Sequence, residues 1–452
     1  MTRLGVKVQL GLLVLTVTAR AVPVEQNQLS SARVHAANAG LVLTDNYHTL
    51  SRIRRQPGVS RTLDVLRQIR RNRGFKDVYG LSPSDDPLGV DHIRAELNQI
   101  EYIMKVGIGP EPYYMIPDTG SSDTWIIQDG FKCLDPYFGD EVPQEYCQFG
   151  PLFKGDFPGG KIENQNLNIS YLSGDYLNGN MGYAEQALRH LITVANITVP
   201  KQQFALVNVA SFGGDGISSG ILGLGLRGLT AAFTGNNPAE DGIDNLVNYA
   251  PLMETIGASK AASPILSFAM SREENRSYIA FGGVPPVATG EYTTVPIQKL
   301  TTNSGRTDYF YYNIKIDSMR WTSATKNQSV SNPPSMLVDS GTTINLFPAD
   351  IAAAINAAYV PSGDREDSMV WSVPCNATPP ALDIVIGGKP IRTHPTSMIL
   401  PETELNGSGR CLSGIGAGQP GSFILGDTFM QEIVTVFDVS EKMQMKFAQR
   451  TD

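Results

Sequence analysis

Histidine and cysteine are both scarce, at five and four among 452 residues. His35, His48 and His92 lie in or beside a basic N-terminal segment, leaving only His190 and His394 in the body of the chain. No pair has metal-ligand spacing, so zinc chemistry and a Ser-His mechanism both lack parts, and neither a metal nor a cofactor is expected. Long apolar runs are missing too. The one near the start, Val8 to Val17, is too short to span a bilayer, and no other segment reaches about 18 uninterrupted apolar residues, so no membrane partner is expected.

That short run follows Arg3 and Lys7 and ends at Ala19-Arg20-Ala21, a small-x-small pattern. It reads as a secretory signal peptide, residues 1–21, with a retained amphipathic anchor as the lesser alternative. Charge then divides the chain. Residues 22–90 carry ten Lys or Arg against six Asp or Glu, whereas residues 91–452 carry 23 against 38, for net charges of +4 and −15. A basic stretch before so acidic a body argues against nucleic acid and for a removable propeptide, taken as residues 22–93, lying on an acidic cleft. Leu63, Leu66 and Ile69 give it part of an apolar helical stripe, Pro83 to Pro87 a linker, and Arg54-Arg55 and Arg70-Arg71 two dibasic processing candidates. Four cysteines in a secreted chain point to two disulfides in one of three connectivities. Sequons at Asn168, Asn196, Asn275, Asn327, Asn376 and Asn406 would place glycans on surface loops. With no hydrophobic tail after Phe447, the expected product is a secreted, soluble monomer, a vacuolar or lysosomal compartment being the alternative.

Short alternating runs rich in Gly, Pro, Thr, Val and aromatics predict mostly β structure. Helices are predicted after Pro348, where Ile351, Ile355 and Tyr359 recur every four residues, and over about Asn245 to Ile256. The strongest pattern is a duplication. Asp118-Thr119-Gly120-Ser121-Ser122 and Asp339-Ser340-Gly341-Thr342-Thr343 stand 221 residues apart, each after apolar residues suited to a buried strand. Two acids brought close cannot both ionise, so they share a proton. The ionised partner can take a proton from water while the protonated one polarises a carbonyl, which is what adding water to a peptide bond requires. Gly120 and Gly341 let backbone approach where a Cβ would obstruct. Ser121 and Thr342 can hydrogen-bond the outer carboxylate oxygens, and Thr119 and Ser340 can tie the two loops together. Glycosidases also use two carboxylates, but twin Gly-containing loops favour a shared proton over separated acids. A nucleophile-elbow match at Gly216 to Gly220 runs into a strand rather than a helix, and a dinucleotide-type match at Gly223 to Gly228 lacks alternating strands and helices.

Downstream of each acid comes an apolar run ending in glycine, Ser219-Gly220-Ile221-Leu222-Gly223 and Ser422-Phe423-Ile424-Leu425-Gly426. On these residues the chain, from about 98 to 450, resembles the pepsin-like aspartic endopeptidases. The resemblance implies a mostly β, bilobal fold of two pseudo-symmetric lobes, here residues 94–286 and 287–452, with polypeptide substrates bound in the cleft between them. It implies hydrolysis at acid pH by Asp118 and Asp339, with the propeptide as intramolecular inhibitor. It also implies a flap at Ile169-Ser170-Tyr171-Leu172-Ser173-Gly174, in which Tyr171, Ser173 and Gly174 meet substrate and Trp125 bonds the tyrosine hydroxyl, and disulfides Cys133–Cys147 and Cys375–Cys411. Three features depart from the family pattern: Pro117 before the first acid, only eight residues between Gly109 and Asp118, and Leu172 in the flap. Pro117 and Leu172 leave one alternative open, a weak or inactive scaffold that binds a peptide or protein without cutting it.

Overall fold

Strand Ile100–Ile108 illustrates why most of this chain is β: Tyr102, Met104, Val106 and Ile108 are buried on one side while Lys105 is exposed. The computed structural model describes residues 26–54 and 100–452, except 110, 136–138, 172–174, 185–191, 274, 303–304, 325–326, 367, 405–407 and 420. Outside the described residues lie the signal peptide, Arg55, the Leu63-Leu66-Ile69 stripe, Arg70-Arg71, the 83–87 linker, His92, His190, Leu172, Ser173, Gly174 and Asn406. Among the described residues no helix is long and apolar enough to cross a membrane.

The fold is mostly β and bilobal. In the N-terminal lobe the strands Trp125–Leu134, Tyr176–Ala184 and Gln202–Ser211 pair around a core that includes Trp125, Leu177 and Val207. In the C-terminal lobe a five-stranded sheet runs through Asn313–Ile314, Met336–Val338, Ile424–Leu425, Asn345–Phe347 and Ile415–Ala417, flanked by two four-stranded sheets. A further sheet joins them. Its strands Thr293–Pro296, Gln444–Gln449, Ile433–Asp438, Ile265–Ala269 and Ser277–Phe281 are antiparallel neighbours, and its last member is Tyr47–Arg54 from far upstream. The expected lobe boundary near residues 282–286 thus follows directly on one strand of this shared sheet.

The two acid strands are built alike. Glu111–Asp118 runs parallel to Gly220–Gly223, with Asp118 opposite Gly223, and Met336–Val338 runs parallel to Ile424–Leu425. Pro117 fits because the antiparallel ladder on its other side ends at Met104 opposite Met115, so no neighbour there requires the N–H that proline lacks. The shortened first hairpin closes at Ile108 opposite Glu111, with Gly109 at φ +70°.

One predicted helix forms at Ala349–Asn356 and buries Ile351 and Ile355; Tyr359 lies past its end, buried, with its hydroxyl donating to the Met398 carbonyl at 2.8 Å. The other begins later than expected. It spans Leu252–Ala258, because Leu246–Val247 pairs as a strand with Ala232 and Phe233, and Pro251 then starts the helix. The cysteines pair as Cys133–Cys147 and Cys375–Cys411. Asn196, Asn275, Asn327 and Asn376 are exposed. Asn168 is half-buried, its amide donating to the Pro238 carbonyl and to Asp241 Oδ2, both at 3.0 Å, so a glycan, which takes one of the two amide hydrogens, would remove at least one of these bonds.

Candidate active site

Asp118 ends its strand and Asp339 directly follows its own, and the two are buried and hydrogen-bonded to each other. Within each motif the same local bonds recur. The Gly120 N–H donates to Asp118 Oδ1 at 2.7 Å, and the Gly341 N–H to Asp339 Oδ1 at 2.8 Å. Ser121 Oγ donates to Asp118 Oδ2, and Thr342 Oγ1 to Asp339 Oδ2 at 2.6 Å. The glycines work across the pair. A Cβ on Gly120 would stand 2.6 Å from Asp339 Oδ1, and one on Gly341 would press on Asp118 Oδ1, so each acid occupies space vacated by the opposite motif's glycine.

Beneath the carboxylates the loops are cross-tied. Thr119 Oγ1 accepts from the Ser340 N–H at 2.9 Å and donates to the Val338 carbonyl at 3.1 Å, while Ser340 Oγ accepts from the Thr119 N–H at 3.1 Å and donates to the Pro117 carbonyl at 2.7 Å. Four bonds between segments more than two hundred residues apart fix the distance between the acids. Burial, followed by the charge of Asp339, pushes the Asp118 carboxyl far above the usual carboxylate range, so the pair holds one proton where isolated acids would hold none.

Tyr171 leads into the tip of the hairpin formed by Lys161–Ser170 and Tyr176–Ala184, its N–H bonded to the Asp175 carbonyl at 2.9 Å. Its hydroxyl accepts from Trp125 Nε1 at 2.8 Å and also bonds Ser121, which extends a polar chain from the indole to Asp118. Phe212 and Phe149 lie edge-on to the indole at 5.6 and 6.1 Å and hold it upright. Burial and the nearby Asp118 raise the Tyr171 pKa, keeping the hydroxyl neutral.

Three further groups near the acids, two of them buried, were missed in reading the motifs. Asp123, five residues beyond the first acid, accepts from Tyr249 Oη at 2.6 Å and from the Ala231 N–H at 3.1 Å, and burial pushes its pKa up to about 6. Asp427, just after the second apolar-Gly run, is raised well above its usual value by burial and by Asp339. Tyr311, in the bend before strand Asn313–Ile314 and 36% exposed, has its phenol raised by partial desolvation and by Asp339. Only Asp123 had a sequence signal, as the second acid in Asp-Thr-Gly-Ser-Ser-Asp; the partners of the others come from distant segments. Among the described residues no group of three or more His, Cys, Asp or Glu is arranged to hold a metal.

Two β lobes that meet at twin Asp-containing loops define a class of two-acid peptide hydrolases. The profile of the eukaryotic aspartyl protease family matches residues 101–450. A probable aspartic-type endopeptidase of Aspergillus fumigatus is 33% identical over 362 residues, covering 77% of this chain and 78% of its own. An embryonic pepsinogen of Gallus gallus is 28% identical over 352 residues, covering 75% of this chain and 78% of its own. The crystal structure of an aspartic proteinase from Irpex lacteus shares the fold with a TM-score of 0.58 at 19% identity, over 78% of this chain and 94% of its own. The chain belongs to the eukaryotic aspartyl protease family, as a pepsin-like aspartic endopeptidase of fungal type.

Proposed function

We propose that this is a secreted, monomeric endopeptidase that cuts internal bonds of extended polypeptides at acid pH, with Asp118 and Asp339 as its catalytic residues. The observation that carries the reading is the reciprocal seating of the two carboxyls, each against the other motif's glycine. A water held between them loses a proton to the ionised carboxylate and attacks the scissile carbonyl, whose oxygen takes a hydrogen bond from the protonated partner. Thr119, Gly120, Ser121, Ser340, Gly341 and Thr342 hold the acids in place. Tyr171, fixed by Trp125, closes the hairpin over the substrate; Ser173 and Gly174, the other flap residues of this reading, lie outside the described residues.

Secretion rests on the N-terminal run and its small-x-small end, and an acid vacuole serves the same chemistry. Sequons at Asn196, Asn275, Asn327 and Asn376 carry the glycans. The basic propeptide acts as an intramolecular inhibitor, supported by the net charge of +4 over residues 22–90 against −15 over residues 91–452. Residues 55–93 of it lie outside the described residues.

The test is digestion of denatured haemoglobin or casein across a pH series, with and without a statine inhibitor. Asp118→Asn and Asp339→Asn are each expected to lower kcat about 10²–10⁴-fold, the scale of a lost general acid or base. Substrate binding without turnover in the unmodified protein, unchanged by either substitution, would decide for the non-cleaving scaffold, which no observation on the site favours.

A further inference from the structure

The segment from Thr230 to Tyr249 runs along the outer edge of the hairpin that carries Tyr171. Its strand Ala232–Thr234 pairs antiparallel with Gln165–Leu167, on the side of Lys161–Ser170 that faces away from Tyr176–Ala184. The ladder continues past both strand ends, with the Gly235 N–H donating to the Asn164 carbonyl at 3.0 Å and the Asn168 N–H to the Ala231 carbonyl at 3.3 Å. Both ends of the segment return to fixed parts of the molecule. The Ala231 N–H, at 3.0 Å, and Tyr249 Oη, at 2.6 Å, donate to the carboxyl of Asp123 in the first acid loop. Asn248 Nδ2 donates to the Thr230 carbonyl at 3.3 Å, and Asn248 Oδ1 accepts from Arg306 Nη1 of the C-terminal lobe at 3.2 Å.

Asp241 lies between the two strands of this segment and fastens it to the hairpin. Side chains alternate along Lys161–Ser170: Leu167 is buried in the core of the lobe, and Asn166 and Asn168 project from the opposite face. Asp241 Oδ1 accepts from Asn166 Nδ2 at 3.3 Å and Oδ2 from Asn168 Nδ2 at 3.0 Å, one oxygen for each. Each amide also donates to a backbone carbonyl of the same segment, Asn166 to Gly235 at 3.2 Å and Asn168 to Pro238 at 3.0 Å. Asn245 Nδ2 braces the carboxylate at 3.2 Å. The charge reaches the return strand as well, where Tyr176 has its phenol raised by partial desolvation and then by Asp241. Bonds to a carboxylate are stronger than neutral amide pairs, and the last of them falls at Asn168, three residues before Tyr171. The place of Asn168 therefore governs where Tyr171 meets Trp125 and Ser121.

We propose that Asp241 is a positioning residue of the peptide-cleaving reaction: through Asn166 and Asn168 it fixes the strand that delivers Tyr171 to the acid pair, and so sets how tightly an extended peptide is held. The inference rests on the reading that Tyr171 closes over substrate.

The experiment compares Asp241→Ala, Tyr171→Ala and the double variant with the parent, each first shown to be folded by circular dichroism. The readouts are steady-state cleavage of one synthetic peptide and the dissociation constant of a statine inhibitor. Asp241→Ala is expected to raise KM and the inhibitor Kd about tenfold with kcat little changed, the pattern of lost uniform binding. Added to Tyr171→Ala it is expected to change neither value further, because a residue that acts through Tyr171 then has nothing left to place. Asn168→Ala withdraws a partner from the strand side, should reproduce the rise, and serves in its place if Asp241→Ala does not fold. Parental KM and Kd in Asp241→Ala, or a rise that adds in full to that of Tyr171→Ala, would overturn the inference. A parent that binds the inhibitor but cuts nothing would refute the endopeptidase reading instead, and the Kd values would still decide the role of Asp241.

Discussion

At the residue scale the site is governed by what is missing from Gly120 and Gly341. A methyl at either position occupies space that an opposing carboxyl already fills, and strands on both sides leave the backbone no room to withdraw. Gly341→Ala is therefore expected to remove activity at least 100-fold by forcing the acids apart, while far-ultraviolet circular dichroism still reports the folded β protein; unchanged turnover would show that the carboxyls do not need this seat. Asp123 supports a separate prediction. Its carboxyl is held protonated up to about pH 6 by burial, so its contribution to stability is complete below about pH 4 and is lost as pH rises to about 6, some 3 kcal/mol in all. Asparagine keeps an acceptor for Tyr249 Oη and the Ala231 N–H but has no proton to lose. Asp123→Asn should therefore flatten the melting temperature between pH 4 and 6, and a curve parallel to the parent would remove Asp123 from the account.

At the scale of elements, the decisive unit is the cross-tie beneath the acids. Ser340 Oγ both accepts from Thr119 and donates to Pro117 inside a buried junction, so Ser340→Ala strands one donor and one acceptor. A cost of about 2–4 kcal/mol follows from the penalty for unmade buried bonds, read as a lower denaturation midpoint at unchanged m-value. Turnover should fall with it, because the same bonds set the spacing of the acids.

The motifs made this junction legible in the sequence, since twin loops with Asp and Gly at the same offsets and a hydroxyl residue at each of the others announce the same local bonds. Helix starts were less legible. The segment from Asn245 has apolar spacing that suits a helix, but Leu246 and Val247 find strand partners in Ala232 and Phe233, a tertiary preference that local pattern does not carry. Pro117 looked like a defect for a related reason: where its ladder stops is decided by residues elsewhere in the chain. Arg52, Asp427 and Glu402 were illegible because each meets its partners only after the shared sheet has formed.

At the scale of the whole molecule, opposing groups of carboxylates set the pH range of stability. Asp118, Asp123 and Asp427 bind protons more tightly folded than unfolded, so they favour the fold at acid pH and cost stability as pH rises through their folded values. Asp383, held low by Arg392 and then Arg320, and Asp452, in which the bonds and charges of Arg450 and Arg276 outweigh burial, work the other way and lose their contribution as pH falls below about 4. Thermal melts should give a maximum near pH 4–5 and a clear decline toward pH 8. A maximum at neutral pH would mean that the buried acids are more hydrated than their packing implies. The disulfides close segments of 14 and 36 residues, one on either side of the shared sheet, and each should contribute about 3–4 kcal/mol on a chain-entropy basis, lost on reduction.

The crossed seating of the acids has one more consequence. Neither half of the polypeptide contains a finished proton-sharing centre, because the niche for each carboxyl is supplied by the opposite partner. Fragments produced apart would be silent toward substrate, and mixing them would switch catalysis on only as fast as they dock. Divided in this way, the molecule becomes a complementation reporter whose signal is its own assembly.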